Sequence, residues 1–134
     1  MTKETKAERD AFAAVKQFKA AFDAADAAAI AATFAPDAVF LGTSMPGPER
    51  GRAKVLKYFQ PAMSINLPKG IRIDSRQSLR LSDVAVLFSG RCTYWHTREG
   101  KKETAKARYT LLLVKGKRGW AIAHFHSSMA PAPR

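Results

Sequence analysis

Near Ile71 the apolar spacing of this chain changes from about 3.6 residues to 2, and that change leaves few folds open. Before it, Phe12, Val15, Phe18 and Phe22 recur at intervals of three, three and four inside the alanine-rich stretch 5–35, the pattern of an amphipathic helix. Asp26 is placed to cap a second short helix over Ala27–Phe34. Pro36 stops that helix, because it has no N–H to donate and restrains Ala35 from helical geometry. Ala38–Leu41 then reads as a short strand, Met45–Gly51 as a loop, and Arg52–Met63 as a third helix with Val55, Leu56 and Phe59 inward. Beyond Ile71, turn signals at Ser82-Asp83, Arg98–Lys101 and Lys115–Gly119 divide four long strands. Helices precede strands instead of alternating with them. The expected class is α+β, with three helices covering one face of a curved antiparallel sheet.

The 134 residues show no break in composition, so one domain over 1–134 is expected, with 1–8 and 130–134 as flexible tails. A hydrophobic content of 46% excludes a disordered chain. No apolar stretch approaches the roughly 20 residues of a membrane helix, and the mixed-charge start does not read as a signal peptide. The single cysteine, Cys92, excludes an internal disulfide and fits a reducing compartment, so the cytoplasm is the expected location. Net charge is +12 and unevenly placed: residues 1–45 carry five basic and six acidic side chains, the remainder eighteen basic and five acidic. A positive half-molecule attracts small anions. The lysines are scattered and no nucleic-acid-binding motif accompanies them, which argues against a DNA or RNA partner.

Chemistry-bearing residues concentrate in the last three strands. Val84, Val86, Phe88, Gly90, Cys92, Tyr94 and His96 share one face of their strand, with Arg91 and Trp95 on the other. In the next strand Lys106, Arg108, Thr110, Leu112 and Val114 share a face that runs from cationic to apolar, as at the edge of a pocket. Arg108 there needs an anionic partner and acidic residues are scarce, so an acidic small molecule is one candidate and a surface arginine the other. The last strand, Gly119–Ser128, alternates so that Trp120, Ile122, His124, His126 and Ser128 fall together. His124 and His126 are either hydrogen-bonded structural histidines or acid–base and ligand-contacting groups. A metal pair is disfavoured because His96, Glu99 and Glu103 lack ligand spacing. Tyr58, Tyr94, Trp120 and Arg91 complete the candidate ligand-contacting set. Buried among apolar neighbours, Cys92 reads as inert. No elbow, phosphate-loop or dinucleotide motif appears, and no cofactor is expected.

Three stretches resemble the nuclear transport factor 2-like superfamily, including its SnoaL-like members: Phe22–Asp26 with Ile30…Phe34-Ala-Pro-Asp-Ala-Val-Phe40, Gly51–Phe59, and Arg108–Val114 with Gly119–Ser128. The last is similar to the branch of the calcium/calmodulin-dependent kinase II association domain and its bacterial stand-alone relatives. The resemblance implies a cone-shaped, cystatin-like fold with a deep pocket, and a homodimer through the outer sheet face or a larger ring. It matches Arg108 to a pocket arginine on the penultimate strand. Gly42 stands where ketosteroid isomerases carry the catalytic aspartate, and Phe18 where they carry the helix-one tyrosine, so that isomerase mechanism is not expected. The resulting expectation is a homo-oligomeric domain binding an acidic (carboxylate or enolate) ligand. Its rivals are a cyclase, isomerase or dehydratase with a pocket histidine as base, and an oligomerisation module with a vestigial pocket.

Overall fold

A computed structural model describes residues 3–133. Helix α1 (Lys6–Asp23) starts at a reciprocal cap: Glu8 N donates to Thr5 Oγ1 at 3.2 Å and Thr5 N donates to Glu8 Oε1 at 3.0 Å. Helix α1 thus starts within the expected 1–8 tail, and at the other end Ala130 N donates to Lys106 O at 3.0 Å. Residues 1, 2 and 134 lie outside the described part.

Asp26 caps α2 (Ala27–Ala32) by accepting from Ala29 N at 3.0 Å. That helix ends two residues short of expectation because Phe34 already opens strand β1 (Phe34–Leu41). Pro36 and Asp37 sit there in a bulge: the β1 register against the last strand jumps between Phe34 and Val39, which leaves the proline exposed with no ladder bond to break. A two-residue strand β2 (Glu49–Arg50) precedes α3 (Arg52–Ala62), and Arg52 donates to Phe34 O at 2.7 and 3.2 Å.

The first of the expected long strands is two strands, β3 (Lys69–Ile73) and β4 (Gln77–Ser82), both antiparallel to β5 (Ala85–Arg98). The bend between them is pinned to β5. Asp74 N and Ser75 N both donate to Arg91 O, and Arg91 N donates to Ser75 Oγ at 3.0 Å. A side chain at position 90 would collide with the Ser75 carbonyl, so Gly90 makes the bend possible. Strands β6 (Lys101–Gly116) and β7 (Gly119–Met129) complete the order β2-β1-β7-β6-β5-β3, with β4 also on β5. Because β1 runs parallel to β7, the curved sheet is mixed, not wholly antiparallel. Its inner face packs on the helices around Phe18, Phe34, Phe59 and Phe125, whose rings lie 5.5–6.4 Å apart in tilted and edge-on pairs. Among the described residues no helix is long and apolar enough to cross a membrane.

Candidate functional site

Between the inner face of β5–β7, the end of α1 and helix α3 lies a cavity of about 650 Å³. Its apolar wall comes from Phe22, Phe59, Met63 and Phe125. Behind Tyr94 and Phe125 a second space of about 20 Å³, walled almost wholly by apolar side chains, reaches Cys92. Burial pushes the Cys92 thiol up to about 11, so it stays protonated at neutral pH and is a packing residue.

The polar part of the cavity is built by the ladder. Ile71, Tyr94 and Ala105 are cross-strand partners on β3, β5 and β6, and one step toward the rim so are Lys69, His96 and Glu103. Tyr94 OH lies 2.9 Å from Ser127 Oγ, which lies 2.7 Å from Thr43 Oγ1, giving a chain of three hydroxyls from β5, β7 and the loop after β1. Burial raises the Tyr94 phenol above its ordinary value, so Tyr94 offers a proton-bearing hydroxyl and not a phenolate. Tyr58 OH lies 3.3 Å from Ser44 Oγ. Its ring occupies the space a side chain at position 42 would need, so Gly42 is what lets Tyr58 line the cavity, and no carboxylate stands there.

Lys69 is the unusual group. It is 9% exposed, and its ammonium donates to Ala62 O at the end of α3. No carboxylate pairs with it among the described residues, and burial lowers its pKa from the ordinary lysine value. Beside it, His96 Nε2 is 2.9 Å from Glu103 Oε1, and Arg98 Nε is 3.5 Å from the same oxygen. The rim thus holds Lys69 and Arg98 against the Glu103 carboxylate, an electrostatic setting for an anion.

Of the residues singled out from the sequence, Tyr94 and Tyr58 line the cavity. Arg108, Arg91, His124 and His126 do not: they stand on the outer face of the sheet, in the cross-strand rows Arg91–Arg108–Ser128 and Thr110–His126. Trp120 packs against the core near the β6–β7 turn, away from the lining. The physical reason is twofold. On β6 both faces are apolar toward the C-terminal half, and the helices cover Tyr109, Leu111 and Leu113, not Leu112 and Val114. On β7 a bulge at Ala123 breaks the alternation, since Leu112 pairs His124 while Leu113 pairs Ile122. Ile122 therefore turns inward with Phe125 and Ser127, and the two histidines turn outward. Sequence reasoning missed Lys69, Thr43 and Ser127, and weighed His96 and Glu103 only as metal ligands. The alternation of Lys69 with Ile71 and Ile73 was the available signal for the first. Among the described residues no three His, Cys, Asp or Glu side chains come together to hold a metal.

Helices on one face of a curved mixed sheet, with a cavity between the layers, define a cystatin-like, nuclear transport factor 2-like domain. Within that class the chain belongs to the SnoaL-like domain family, whose sequence profile matches residues 12–133. A solved structure from Xanthomonas campestris, named as a calcium/calmodulin-dependent protein kinase II association domain, is 27% identical with a TM-score of 0.84, covering 97% of this chain and 91% of that one. A ketosteroid isomerase-like protein from Erwinia carotovora atroseptica is 20% identical, TM-score 0.77, covering 96% and 100%. A protein named as a dehydratase of the nuclear transport factor 2-like family from Streptomyces avermitilis is 13% identical, TM-score 0.83, covering 94% and 97%. The last two likenesses establish the fold alone. No curated protein matches the sequence.

Proposed function

We propose that the cavity binds a small organic acid with an apolar, preferably aryl, body. The observation that carries this is Lys69: a cation buried on the cavity wall whose ammonium donates to the Ala62 carbonyl, with no carboxylate among the described residues to neutralise it. Carboxylate binding supplies that counter-charge. Phe22, Phe59, Met63 and Phe125 take the body, and Tyr94 with Ser127 and Thr43 supplies hydroxyl hydrogen bonds. The anion site is thus Lys69, in place of Arg108. The test is calorimetry with trans-cinnamate and cinnamamide. The acid should bind at least tenfold more tightly than the amide, and Lys69→Met should remove the difference. Affinity for the acid should fall as pH rises through the lowered Lys69 pKa, because deprotonation removes the counter-charge. Equal binding of acid and amide overturns the reading.

Self-association is supported by a second surface. Leu79, Leu87 and Leu112 are successive cross-strand partners on the outer face, and Leu79 is 58% exposed. A homodimer through this face would cover them, and sedimentation showing a monomer at high micromolar concentration overturns it.

A further inference from the structure

On its outer face the sheet gathers cations that the sequence scatters over three strands. Arg91 and Arg108 are direct cross-strand partners, and one step along the same face the row is Arg72–Thr93–Lys106. Facing residues in such a ladder have Cβ atoms about 5 Å apart, and like charges there destabilise the pair. Among the described residues Arg91, Lys106 and Arg108 make no ion pair. The carboxylate at this place is Asp74, and both its oxygens are engaged. Arg72 Nε lies 2.6 Å from Oδ1, and Thr93 Oγ1 donates to Oδ2 at 2.6 Å. Four cations against one carboxylate leave the cluster strongly positive.

The cluster is braced from below. Thr93 is 3% exposed, and its hydroxyl oxygen accepts from Arg72 Nη2 at 3.4 Å and from Lys106 Nζ at 3.3 Å. Arg91 is fixed through its backbone, bonded on both sides to the β3–β4 bend at Asp74 and Ser75. Arg72, Arg91 and Lys106 line a groove of about 640 Å³, together with Met129, Ala130 and Pro131 at and after the end of β7. That volume suits a small molecule, and the lining is part cationic and part apolar.

We propose that this groove is a second anion site, which binds the phosphoryl dianion of a small phosphate monoester. It stands apart from the cavity reading above, because none of its cations lines that cavity. Guanidinium forks bind phosphoryl oxygens through paired hydrogen bonds, and a lysine adds a point charge. Arg91, Arg108 and Lys106 can each take one of the terminal oxygens of a monoester. A dianion relieves the Arg91–Arg108 repulsion better than a monoanion does. This favours a monoester over a carboxylate, a sulfate ester or the diesters of a nucleic-acid backbone. Met129, Ala130 and Pro131 offer an apolar surface to the ester's organic body. Arg91 and Arg108 lie two ladder rows, roughly 14 Å, from Leu87 and Leu112, so a dimer through the leucines does not need to cover them.

The test is calorimetry in low-salt buffer at pH 8, where a phosphate monoester is a dianion. Phenyl phosphate is compared with phenyl sulfate, which has the same shape and one charge fewer. Wild-type protein should bind the phosphate ester at least about tenfold more tightly, and its Tm should rise with the ester's concentration. Arg91→Gln and Arg108→Thr should each weaken phenyl phosphate about tenfold or more, with urea stability no lower than wild type. Lys117→Gln, which removes a charge at the β6–β7 turn, should change the affinity less than twofold. Equal binding of the two esters, or arginine variants that lose no more than Lys117→Gln, means diffuse attraction and overturns the site. Displacement of phenyl phosphate by trans-cinnamate places it in the cavity and overturns the site as well. A short oligothymidylate that binds more tightly than phenyl phosphate, and is lost in the same variants, makes this a nucleic-acid surface and overturns the monoester.

Discussion

Phe125 is the partition between the main cavity and the small space at Cys92, and removing its ring tests the whole arrangement. The residue is 4% exposed on β7, with ring centroids 5.5 Å from Phe18, 5.6 Å from Phe34 and 6.3 Å from Phe59. Phe→Ala in a core costs about 3–5 kcal/mol, from lost transfer energy and the void left behind. Three aromatic contacts, each about 0.5–1.5 kcal/mol beyond area, push toward the upper end. The void opens into a cavity of about 650 Å³ that water can enter, and this pulls the cost back down. The net expectation for Phe125→Ala is a loss of about 4 kcal/mol in urea unfolding, with an unchanged m value and a Tm lower by about 10–15 °C. Its neighbours come from α1, β1 and α3, three separately anchored elements, so the wall cannot close over the hole. The merged space should also bind 4-biphenylcarboxylate more tightly than wild-type protein does, and that acid should restore part of the lost Tm. A loss below about 1.5 kcal/mol, or no gain in affinity for the longer acid, refutes the picture of Phe125 as a dividing wall.

Two further outcomes follow from glycine and arginine positions. Gly42→Ala should force the Tyr58 ring out of its place and break its contact with Ser44, which costs about 1–2 kcal/mol in chemical denaturation and weakens cinnamate binding severalfold. Arg108→Thr should stabilise the protein by about 0.2–1 kcal/mol at low salt, because Arg108 faces Arg91 directly across the β5–β6 ladder. That gain should vanish in 1 M salt, where the repulsion is screened, and cinnamate affinity should not change.

What the sequence discloses and conceals can be traced to particular strands. The switch of apolar period at Ile71 and the caps at Thr5 and Asp26 report local geometry, and such signals set the three helices and the long strands β5–β7. The assignment of a strand's face to core or solvent is a tertiary matter. On β6, Tyr109, Leu111 and Leu113 alternate with Thr110, Leu112 and Val114, and both sets are apolar enough to be buried. Only the helices' position selects the first. On β7 the bulge at Ala123 has no mark in residue type, yet it reverses every face assignment across it. Hence Arg108, His124 and His126 looked like a converging site, while Lys69 and Glu103, on strand ends far apart in sequence, converge on His96 only through the register of three strands.

The parallel pairing of β1 with β7 carries a consequence for how such a chain comes to be folded. Thr43 and Ser127, whose hydroxyls are in contact where the chain leaves β1 beside β7, are 84 positions apart, and Phe34 and Phe40 reach full burial in a core that Phe125 on β7 closes. During synthesis, the helices and β1 emerge long before the strand that covers them. They can form local turns, but their apolar faces wait, exposed, for residues still to be added. The hairpins β5–β6 and β6–β7 can zip by themselves once made, and the decisive late event is the capture of β1 by the edge of β7. On the ribosome this cone is open until its final strand arrives.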